Sequence, residues 1–315
     1  MSLDTLHGQI RAEIAKVIHG MDDVIDFSLA ALFSCGHVLL EGPPGTAKTL
    51  LVRTIAATLN LDFGRVQMTP DLLPSDITGS SIYREDTHKF EFVRGPIFTN
   101  FLLADEINRA SARTQSAMLE SMQELSVTFG GVTHALPDTF LTFATQNPIE
   151  QEGTYALPLA QLDRFMFKLI VDYPEPKTEE QIYREHHATG KRVSLKDLGV
   201  TPVVSADQIL EARETIRTTS IQDEVIEYVR RLIAATRDDD SLAVGASPRA
   251  GLMLLMGAKS LARFAGRDYV TPDDVKAAAV PALRHRVVLG PNAELDGTTT
   301  DDALGYLLDA IEVPR

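Results

Sequence analysis

The sequence predicts an α/β fold in which a five-stranded parallel sheet flanked by helices is followed by a smaller all-helical domain. Up to about residue 170, short apolar runs alternate with longer amphipathic segments, as in consecutive βαβ units. Beyond Tyr173-Pro-Glu-Pro176 the apolar residues follow the longer period of helices. A chain of 315 residues suits two domains. We place them at residues 1–173 and 174–315.

Five short runs are predicted to be the strands, because each is apolar and bounded by turn residues. They are residues 37–41, 65–68, 101–105, 140–145 and 167–171. Amphipathic runs predict the helices of the second domain. These are residues 178–188, 205–217, 222–237, 248–264, 272–285 and 300–311.

The charge and cysteine content exclude several classes of protein. The chain has 30 Lys and Arg against 44 Asp and Glu, a formal charge of −14, which argues against nucleic acid as the main partner. The single cysteine, Cys35, cannot form a disulfide within the chain, and we expect it to be buried in a helix. The sequence shows neither a signal peptide nor 18 consecutive apolar residues. We therefore expect a cytoplasmic protein with no transmembrane segment.

A phosphate-binding loop is predicted directly after the first strand. A strand, a glycine-rich turn and a helix that begins with Lys and Thr are the context that a Walker A loop requires. Lys48 is expected to contact the β and γ phosphates of a nucleotide, and the hydroxyl of Thr49 to complete the coordination of Mg²⁺. Ala47 stands where a glycine is usual, and we expect it to have a negative φ. The predicted nucleotide-binding residues of this segment are Gly42, Pro43, Pro44, Gly45, Thr46, Ala47, Lys48, Thr49 and Leu50.

Two adjacent acids end the third predicted strand, which reads Phe101-Leu-Leu-Ala-Asp-Glu106. In isolation such a pair is often a plain helix cap, but beside a Walker A loop it indicates a Walker B motif. Asp105 would then hold Mg²⁺, and Glu106 would orient a water for attack on the γ phosphate.

Three further residues are candidates because of their positions. Asn147 follows the fourth strand and precedes Pro148, which holds its backbone in extended geometry near the phosphates. Arg164 precedes the fifth strand. Arg249 follows Ser247-Pro248, an N-cap and first-turn pattern, and an arginine at this end of a helix opposes the dipole unless an anion is bound.

These residues resemble the MoxR family within the AAA+ superfamily of ATPases. Family-like blocks begin at Arg65 (RVQMTPDLLPSDITG), Leu103 (LADEINRA), Ala144 (ATQNPIE) and Gln161 (QLDRF). The shorter blocks Ser247-Pro-Arg-Ala250 and Val280-Pro-Ala-Leu-Arg-His-Arg286 extend the resemblance into the helical domain. The resemblance implies an AAA+ P-loop module followed by a lid domain, and an ATPase that uses ATP and Mg²⁺.

The resemblance also implies roles for individual residues. Ile18 and Gly20 would contact the adenine, Asn147 would be sensor 1, and Arg249 would be sensor 2. Arg164 would be the arginine finger that one subunit presents to its neighbour, with Arg109 a further intersubunit arginine. Segments of about 70–96 and 125–136 would be an insert in the second helix and a hairpin, which in relatives line a pore or contact clients.

The partners implied are other copies of the chain, in a hexameric ring, and client proteins that include von Willebrand factor A domain proteins. Two other function classes remain open at this point. One is a nucleic-acid motor or loader, which only the cluster Arg284-His285-Arg286 favours; we expect that cluster at a subunit interface or a helix end. The other is an ATP-dependent assembly switch. His186 and His187 are interpreted as surface histidines.

Overall fold

The structure is a computed structural model that describes residues 2–86, 88–148, 153–189 and 195–314. Ile149 and Glu150 of the family-like block lie outside the described residues, as do the side chains of His186 and His187.

The five predicted parallel strands are confirmed, and short antiparallel pairs accompany them. The described strands are β1 (His37–Glu41), β2 (Phe63–Gln67), β3 (Gly79–Arg84), β4 (Lys89–Arg94), β5 (Phe101–Asp105), β6 (Ser126–Phe129), β7 (Val132–Ala135), β8 (Leu141–Gln146), β9 (Phe165–Ile170), β10 (Leu242–Val244) and β11 (Val288–Leu289). The parallel sheet has the order β2-β5-β8-β1-β9. Its central strands are mostly apolar and are buried along nearly their whole length, because both of their faces are covered.

Helices cover both faces of the sheet and make up most of the chain after β9. The described α-helices are α1 (Leu3–Ile14), α2 (Asp22–Phe33), α3 (Lys48–Thr58), α4 (Pro74–Thr78), α5 (Ala112–Glu124), α6 (Leu159–Leu162), α7 (Pro176–Thr189), α8 (Ala206–Arg217), α9 (Asp223–Asp238), α10 (Pro248–Phe264), α11 (Pro272–Leu283), α12 (Pro291–Leu295) and α13 (Thr300–Ala310). We call the region from α7 onward the lid. It is helical as predicted and also contains the small antiparallel pair β10–β11.

Side-chain caps explain where the lid helices begin. The hydroxyl of Ser247 accepts from the amide of Ala250, with Pro248 in the first turn of α10. Ser205 and Gln208 form a reciprocal capping box at α8. These signals are local in sequence, so the predicted and observed helix boundaries agree closely.

Some boundaries and one side chain differ from the predictions. Strand β9 begins at Phe165 rather than at residue 167, because Phe165 already pairs with His37 of β1. Cys35 was expected to be buried in a helix, and that prediction is wrong. It follows the end of α2, has a left-handed φ of 56° and is exposed.

One apolar core is shared by the sheet and the lid. The strand residues Val38, Leu40 and Phe167 belong to the same buried cluster as Leu254 of α10 and Leu283 of α11. A second buried cluster, which includes Leu39, covers the other face of the sheet, as the alternation of side chains along β1 requires. No helix of the described residues is both long and apolar enough to span a membrane.

Two antiparallel hairpins accompany the parallel sheet. Strands β3 and β4 form one of them, between β2 and β5, and strands β6 and β7 form the other, before β8. They touch through Phe92, whose ring stacks on Phe129 at a centroid distance of 5.2 Å and on His134 at 4.5 Å. The side chain of Phe90 remains 75% exposed.

Candidate functional site

The loop between β1 and α3 is shaped by a close approach and by left-handed backbone. A Cβ atom at Gly42 would lie 2.0 Å from the carbonyl oxygen of Val171, so only glycine fits there. Gly45 has a φ of 84°. Ala47 has a φ of 60°, and the expectation of a negative φ is therefore wrong. The chain must turn into α3 at this residue, and the turn imposes the conformation that glycine adopts more easily.

Lys48 and Thr49 begin helix α3 and point back into the loop and towards β5. The ammonium of Lys48 donates to the carbonyl oxygens of Gly42 (2.7 Å) and Pro43 (2.6 Å). Partial burial lowers the pKa of Lys48, opposed by the nearby Asp105 and Glu106. The hydroxyl of Thr49 donates to both carboxylate oxygens of Asp105, at 3.2 and 3.1 Å. The structure thus brings the two predicted Mg²⁺ ligands into direct contact.

Asp105 ends β5 and lies at the centre of a hydrogen-bond network. Its side chain is 8% exposed. The hydroxyl of Thr145 donates to Oδ1 at 2.6 Å, and Nη2 of Arg65 donates to Oδ2 at 2.7 Å. Because strands β2 and β8 flank β5, their polar residues hold this carboxylate from both sides.

Glu106 follows in a left-handed conformation, with a φ of 58°. Its amide donates to the hydroxyl of Thr145 at 2.9 Å. Its Oε2 accepts from Nε2 of Gln67 at 2.7 Å and forms an ion pair with Nε of Arg109 at 3.1 Å. Glu106 is therefore held towards β2, and Arg109 lies beside the acid of its own chain.

Asn147 leaves β8 at the same edge of the sheet as the loop and the acids. It is buried, and its carbonyl oxygen accepts from Nδ2 of Asn108 at 3.3 Å. The neighbouring residue Gln146 accepts from the amide of Gly42, which ties the end of β8 to the start of the loop.

Ile18 and Gly20 line a cavity beside this edge. The cavity has a volume of about 380 Å³ and is bounded on the far side by Thr178 of α7. Gly20 has a φ of 71° and lies close to Thr178, so a side chain there would be strained. A neighbouring cavity of about 510 Å³ joins Gly20 to Val171, which contacts Gly42. The predicted adenine contacts thus line cavities that extend as far as Val171, the residue next to Gly42.

Arg164 and Arg249 lie at the opposite edge of the sheet. Arg164 directly precedes β9, so it lies at the edge where His37 begins β1. The phosphate loop follows the other end of β1, about 13 Å away along the strand. Burial and, to a smaller extent, the charges of Arg213 and Arg249 lower the pKa of His37 to about 4. Arg249 therefore also lies near the start of β1.

The cluster Arg284-His285-Arg286 is engaged within the chain. His285 and Arg286 are 3% exposed, and both bond to the carbonyl oxygen of Phe165. Arg284 pairs with Asp301 at 2.7 Å. The cluster lies just after α11, as expected of a helix end. Its buried members face β9 of the same subunit and are turned away from solvent.

Sequence reasoning missed three residues that hold the acids. Arg65 and Gln67 lie two positions apart on β2 and face the same side, and Thr145 lies on β8. A signal was present, because polar residues alternate with Val66 on a predicted strand. Without the strand order, nothing showed that β2 and β8 flank β5.

Comparisons with known proteins match most of the chain. A family model described as "ATPase family associated with various cellular activities (AAA)" matches residues 37–167, and an "AAA lid domain" model matches residues 234–305. Chaperone MoxR1 of Mycobacterium tuberculosis is 43% identical over 96% of this chain and 81% of its own length. The uncharacterized protein YeaC of Bacillus subtilis is 42% identical over 99% of this chain and 96% of its own.

More distant relatives and a solved structure give the same result. Protein MoxR of Paracoccus denitrificans is 30% identical over 90% of this chain and 88% of its own. A crystal structure of a candidate ATPase from Cytophaga hutchinsonii is 41% identical, covers 98% of this chain and 94% of its own, and has a TM-score of 0.88. The chain belongs to the MoxR family of AAA+ ATPases.

Proposed function

We propose that this protein hydrolyses ATP with Mg²⁺ at the interfaces between subunits of a ring, and that it uses the reaction to remodel, mature or activate partner proteins. The observation that carries the proposal is the separation of the candidate residues into two groups. The phosphate loop, Asp105, Glu106 and Asn147 lie at one edge of the sheet, and Arg164 and Arg249 lie at the other. Neither arginine can complete the site of its own subunit without a large movement.

The residues of the first group suit ATP and Mg²⁺. The backbone of residues 42–47 turns so that it can surround phosphate oxygens, and α3 begins at the same place. Lys48 and Leu50 lie in the first turn of α3, and Ile18 and Gly20 line the cavity proposed for adenine. Hydroxyl and carboxylate oxygens are ligands that Mg²⁺ prefers, and Thr49 and Asp105 supply one of each.

The chemistry assigned to the chain is positioning and charge stabilisation. Bound Mg²⁺ would neutralise phosphate charge. Glu106 would orient the attacking water once it leaves Gln67 and Arg109, and the amide of Asn147 would donate to the water or to the γ phosphate. Lys48, already among loop carbonyls, needs only to exchange these partners for phosphate oxygens.

Arg164 and Arg249 would complete the site of a neighbouring subunit. Arg164 has no side-chain partner among the described residues and is partly exposed, as a group that reaches across an interface requires. An arginine finger contributes about 10³–10⁵ in rate. An isolated subunit should therefore hydrolyse ATP very slowly. Heterologous contacts of this kind form a ring when the rotation between neighbours closes, and a closed ring of six subunits is the assembly we propose.

Two observations support proteins as the clients: the exposed apolar surface of one hairpin and the name of one relative. The β3–β4 hairpin exposes apolar side chains such as Phe90 and Ile82, and a homologue is named a chaperone. Proteins with von Willebrand factor A domains are the clients we propose. The nucleic-acid alternative loses its only local support, because the cluster at residues 284–286 is largely buried and paired.

The test measures ATP hydrolysis per subunit across a wide range of protein concentration. We expect specific activity to rise with concentration. Arg164→Ala or Arg249→Ala subunits mixed into wild type should inhibit more steeply than simple dilution. Arg230→Ala, which removes an exposed ion pair on α9, is the control and should leave activity unchanged. Activity that is independent of concentration, and that falls only in proportion to the mutant added, would overturn the proposal.

The clients are tested separately with Glu106→Gln, which should bind ATP without hydrolysing it. A remodelling ATPase should trap its client in this form. A partner that is engaged and released normally by Glu106→Gln would instead indicate an assembly switch.

A further inference from the structure

The guanidinium of Arg286 joins the lid to the segment that carries Arg164. Its five N–H groups all have acceptors. Nε donates to Oδ1 of Asp163 at 2.7 Å, and Nη2 to the carbonyl oxygens of Asp163 (3.0 Å) and Phe165 (2.6 Å). Nη1 donates to the carbonyl oxygens of Met166 (3.1 Å) and Ala282. Four of the five acceptors therefore lie within residues 163–166.

This arrangement fixes both sides of Arg164. Asp163 and Phe165 are its two neighbours in the chain, and both are bonded to the same guanidinium. The backbone of Arg164 cannot move without breaking these bonds, whereas its side chain stays partly exposed. The guanidinium of Arg286, which holds the segment, is rigid, and the side chain of Arg164, which the segment carries, is partly exposed.

Stability alone does not explain why a charged residue occupies position 286, because burying a charge costs free energy of desolvation. The side chain of Arg286 is 1% exposed and that of Asp163 is 23% exposed. Burial lowers the pKa of Arg286, opposed by Asp163. An apolar side chain of similar volume often stabilises a buried site as well as an ion pair does. What the guanidinium provides beyond stability is a fixed direction for five hydrogen bonds.

The same region carries Arg249. Helix α11 ends at Leu283, shortly before Arg286, and packs along α10, which begins at Pro248. Gly257 of α10 lies against the ring of Phe167 in β9, so closely that a Cβ atom would be 2.8 Å away. The charge of Arg249 also contributes to the lowered pKa of Arg286, in agreement with the packing of α10 against α11.

We propose that Arg286 is a positioning residue that holds Arg164 in register with Arg249, so that both arginines reach the neighbouring subunit's nucleotide together. The inference rests on the proposed function, because it assigns a role to Arg286 only if Arg164 acts across an interface. The inference gives Arg286 a role in hydrolysis although this residue contacts neither the nucleotide nor the neighbouring subunit. Through Arg286, the position of the lid determines the position of Arg164.

The test mixes subunits with complementary defects. Arg286→Met keeps Glu106 but should misplace the finger, and we expect kcat to fall about 100-fold, the cost of a displacement of about 1 Å. Glu106→Gln keeps the finger but cannot hydrolyse ATP. In a random 1:1 ring, about a quarter of the interfaces pair an intact site with an intact finger, so the mixture should regain up to that share of wild-type activity.

Three further variants serve as the reference and the controls for this experiment. Arg164→Ala mixed with Glu106→Gln is the reference for a finger that acts in trans. Arg267→Met removes a partly buried ion pair with Asp274 inside the lid, away from residues 163–166, and should lower thermal stability while retaining activity. Arg286→Lys keeps the charge but not the five bonds, and should resemble Arg286→Met. Binding of a fluorescent ATP analogue to isolated subunits should be unchanged in all four arginine variants, Arg286→Met included.

The outcomes separate the two proposals. Recovery in both mixtures supports the inference. Recovery with Arg164→Ala but not with Arg286→Met makes Arg286 a structural residue and leaves the proposed function intact. Recovery in neither mixture overturns the proposed function, and the inference with it.

Should Arg286→Met fail to fold, Asp163→Asn replaces it. This change removes the charged acceptor but leaves the carbonyl acceptors in place, and we expect a loss of about tenfold, as for one hydrogen bond to a charged group. The loss should be recovered in the same way by Glu106→Gln. Full activity of Asp163→Asn alone would overturn the inference.

Discussion

Arg65 and Asp105 form an ion pair between neighbouring strands, with Nη2 of the arginine 2.7 Å from Oδ2 of the aspartate. The arginine side chain is 46% exposed and the aspartate side chain 8%. The proposed Mg²⁺ ligand therefore already has a cationic partner, which competes with a metal for the same carboxylate.

Replacement of Arg65 by Met should change the dependence on Mg²⁺. Without the guanidinium, the free energy of unfolding of the metal-free protein should fall by about 1 kcal/mol, a modest value because the pair is partly exposed. The Mg²⁺ concentration for half-maximal ATPase activity should fall as well. Thermal unfolding and a Mg²⁺ titration test this, with Arg84→Met as the control, because Arg84 forms an exposed pair on the β3–β4 hairpin. An unchanged Mg²⁺ requirement would contradict the competition.

Replacement of Gln67 by Leu should release Glu106. The amide of Gln67 donates to the catalytic candidate at 2.7 Å, and a hydrogen bond to a charged group contributes about 1.5–3 kcal/mol. We expect the basal ATPase rate to rise, by about tenfold for the lower of these values, because 1.4 kcal/mol corresponds to one decade. Single-turnover kinetics measure this, with the exposed Gln123→Leu as the control. A lower rate would mean that Gln67 holds Glu106 in its working position.

Substitutions in the phosphate loop should have opposite effects at two positions. Gly42→Ala forces a Cβ against the carbonyl oxygen of Val171 and should abolish nucleotide binding. Ala47→Gly relieves about 1–2 kcal/mol of left-handed strain, offset in part by about 0.5–1 kcal/mol of chain entropy. It should retain binding and raise the melting temperature slightly.

The matched control for both is Gly8→Ala. This residue lies inside α1, with no atom within 4 Å of an added Cβ. The change should stabilise the protein by up to about 1 kcal/mol, as expected for alanine in a helix. Nucleotide binding by Gly42→Ala at wild-type affinity would show that the loop backbone can move away from Val171.

His37 should make the protein sensitive to acid. Its Nδ1 accepts from the amide of Thr142 and its Nε2 bonds to the carbonyl oxygen of Met122, so the buried ring is neutral. Burial lowers its pKa to about 4, from 6.5 in the unfolded chain. Between these values the unfolded chain binds a proton that the folded one does not. Stability should thus fall by about 1.4 kcal/mol per pH unit from pH 6.5 towards pH 4.

The comparison with His37→Asn isolates this effect. The variant is less stable at pH 7, and the difference in free energy of unfolding should shrink as the pH falls to 4.5. His88→Asn, at an exposed turn of the β3–β4 hairpin, controls for the chemical change. A difference that stays constant with pH would exclude His37 as the cause.

Patterns that depend on neighbours in sequence were predicted well. The five parallel strands and the capped helix α10 follow from apolar runs and from Ser247-Pro248, and the structure has them within about two residues. The MoxR family was likewise identified from short blocks. Local rules failed at Ala47 and Cys35, because the chain must turn there into α3 and β1 and the turns require a left-handed backbone.

Sequence reasoning could not supply those contacts of the site that depend on how the strands and helices pack. Nothing local shows that Arg65 and Thr145 converge on Asp105, because the contact depends on the order of strands in the sheet. The placement of Arg249 beside the start of β1 depends on how α10 packs across the sheet. Likewise, burial of Arg286 could not be read from three adjacent basic residues.

The apolar core shared by the sheet and the lid has a consequence for how the protein unfolds. The two family models match separate stretches of the chain, yet Phe167 of the sheet and Leu254 of the lid are buried in one cluster. Removing the residues after 173 would uncover the apolar faces of α2 and β9 and favour aggregation. Heat should melt both parts in a single cooperative transition. The two halves of the chain are then one unit of folding.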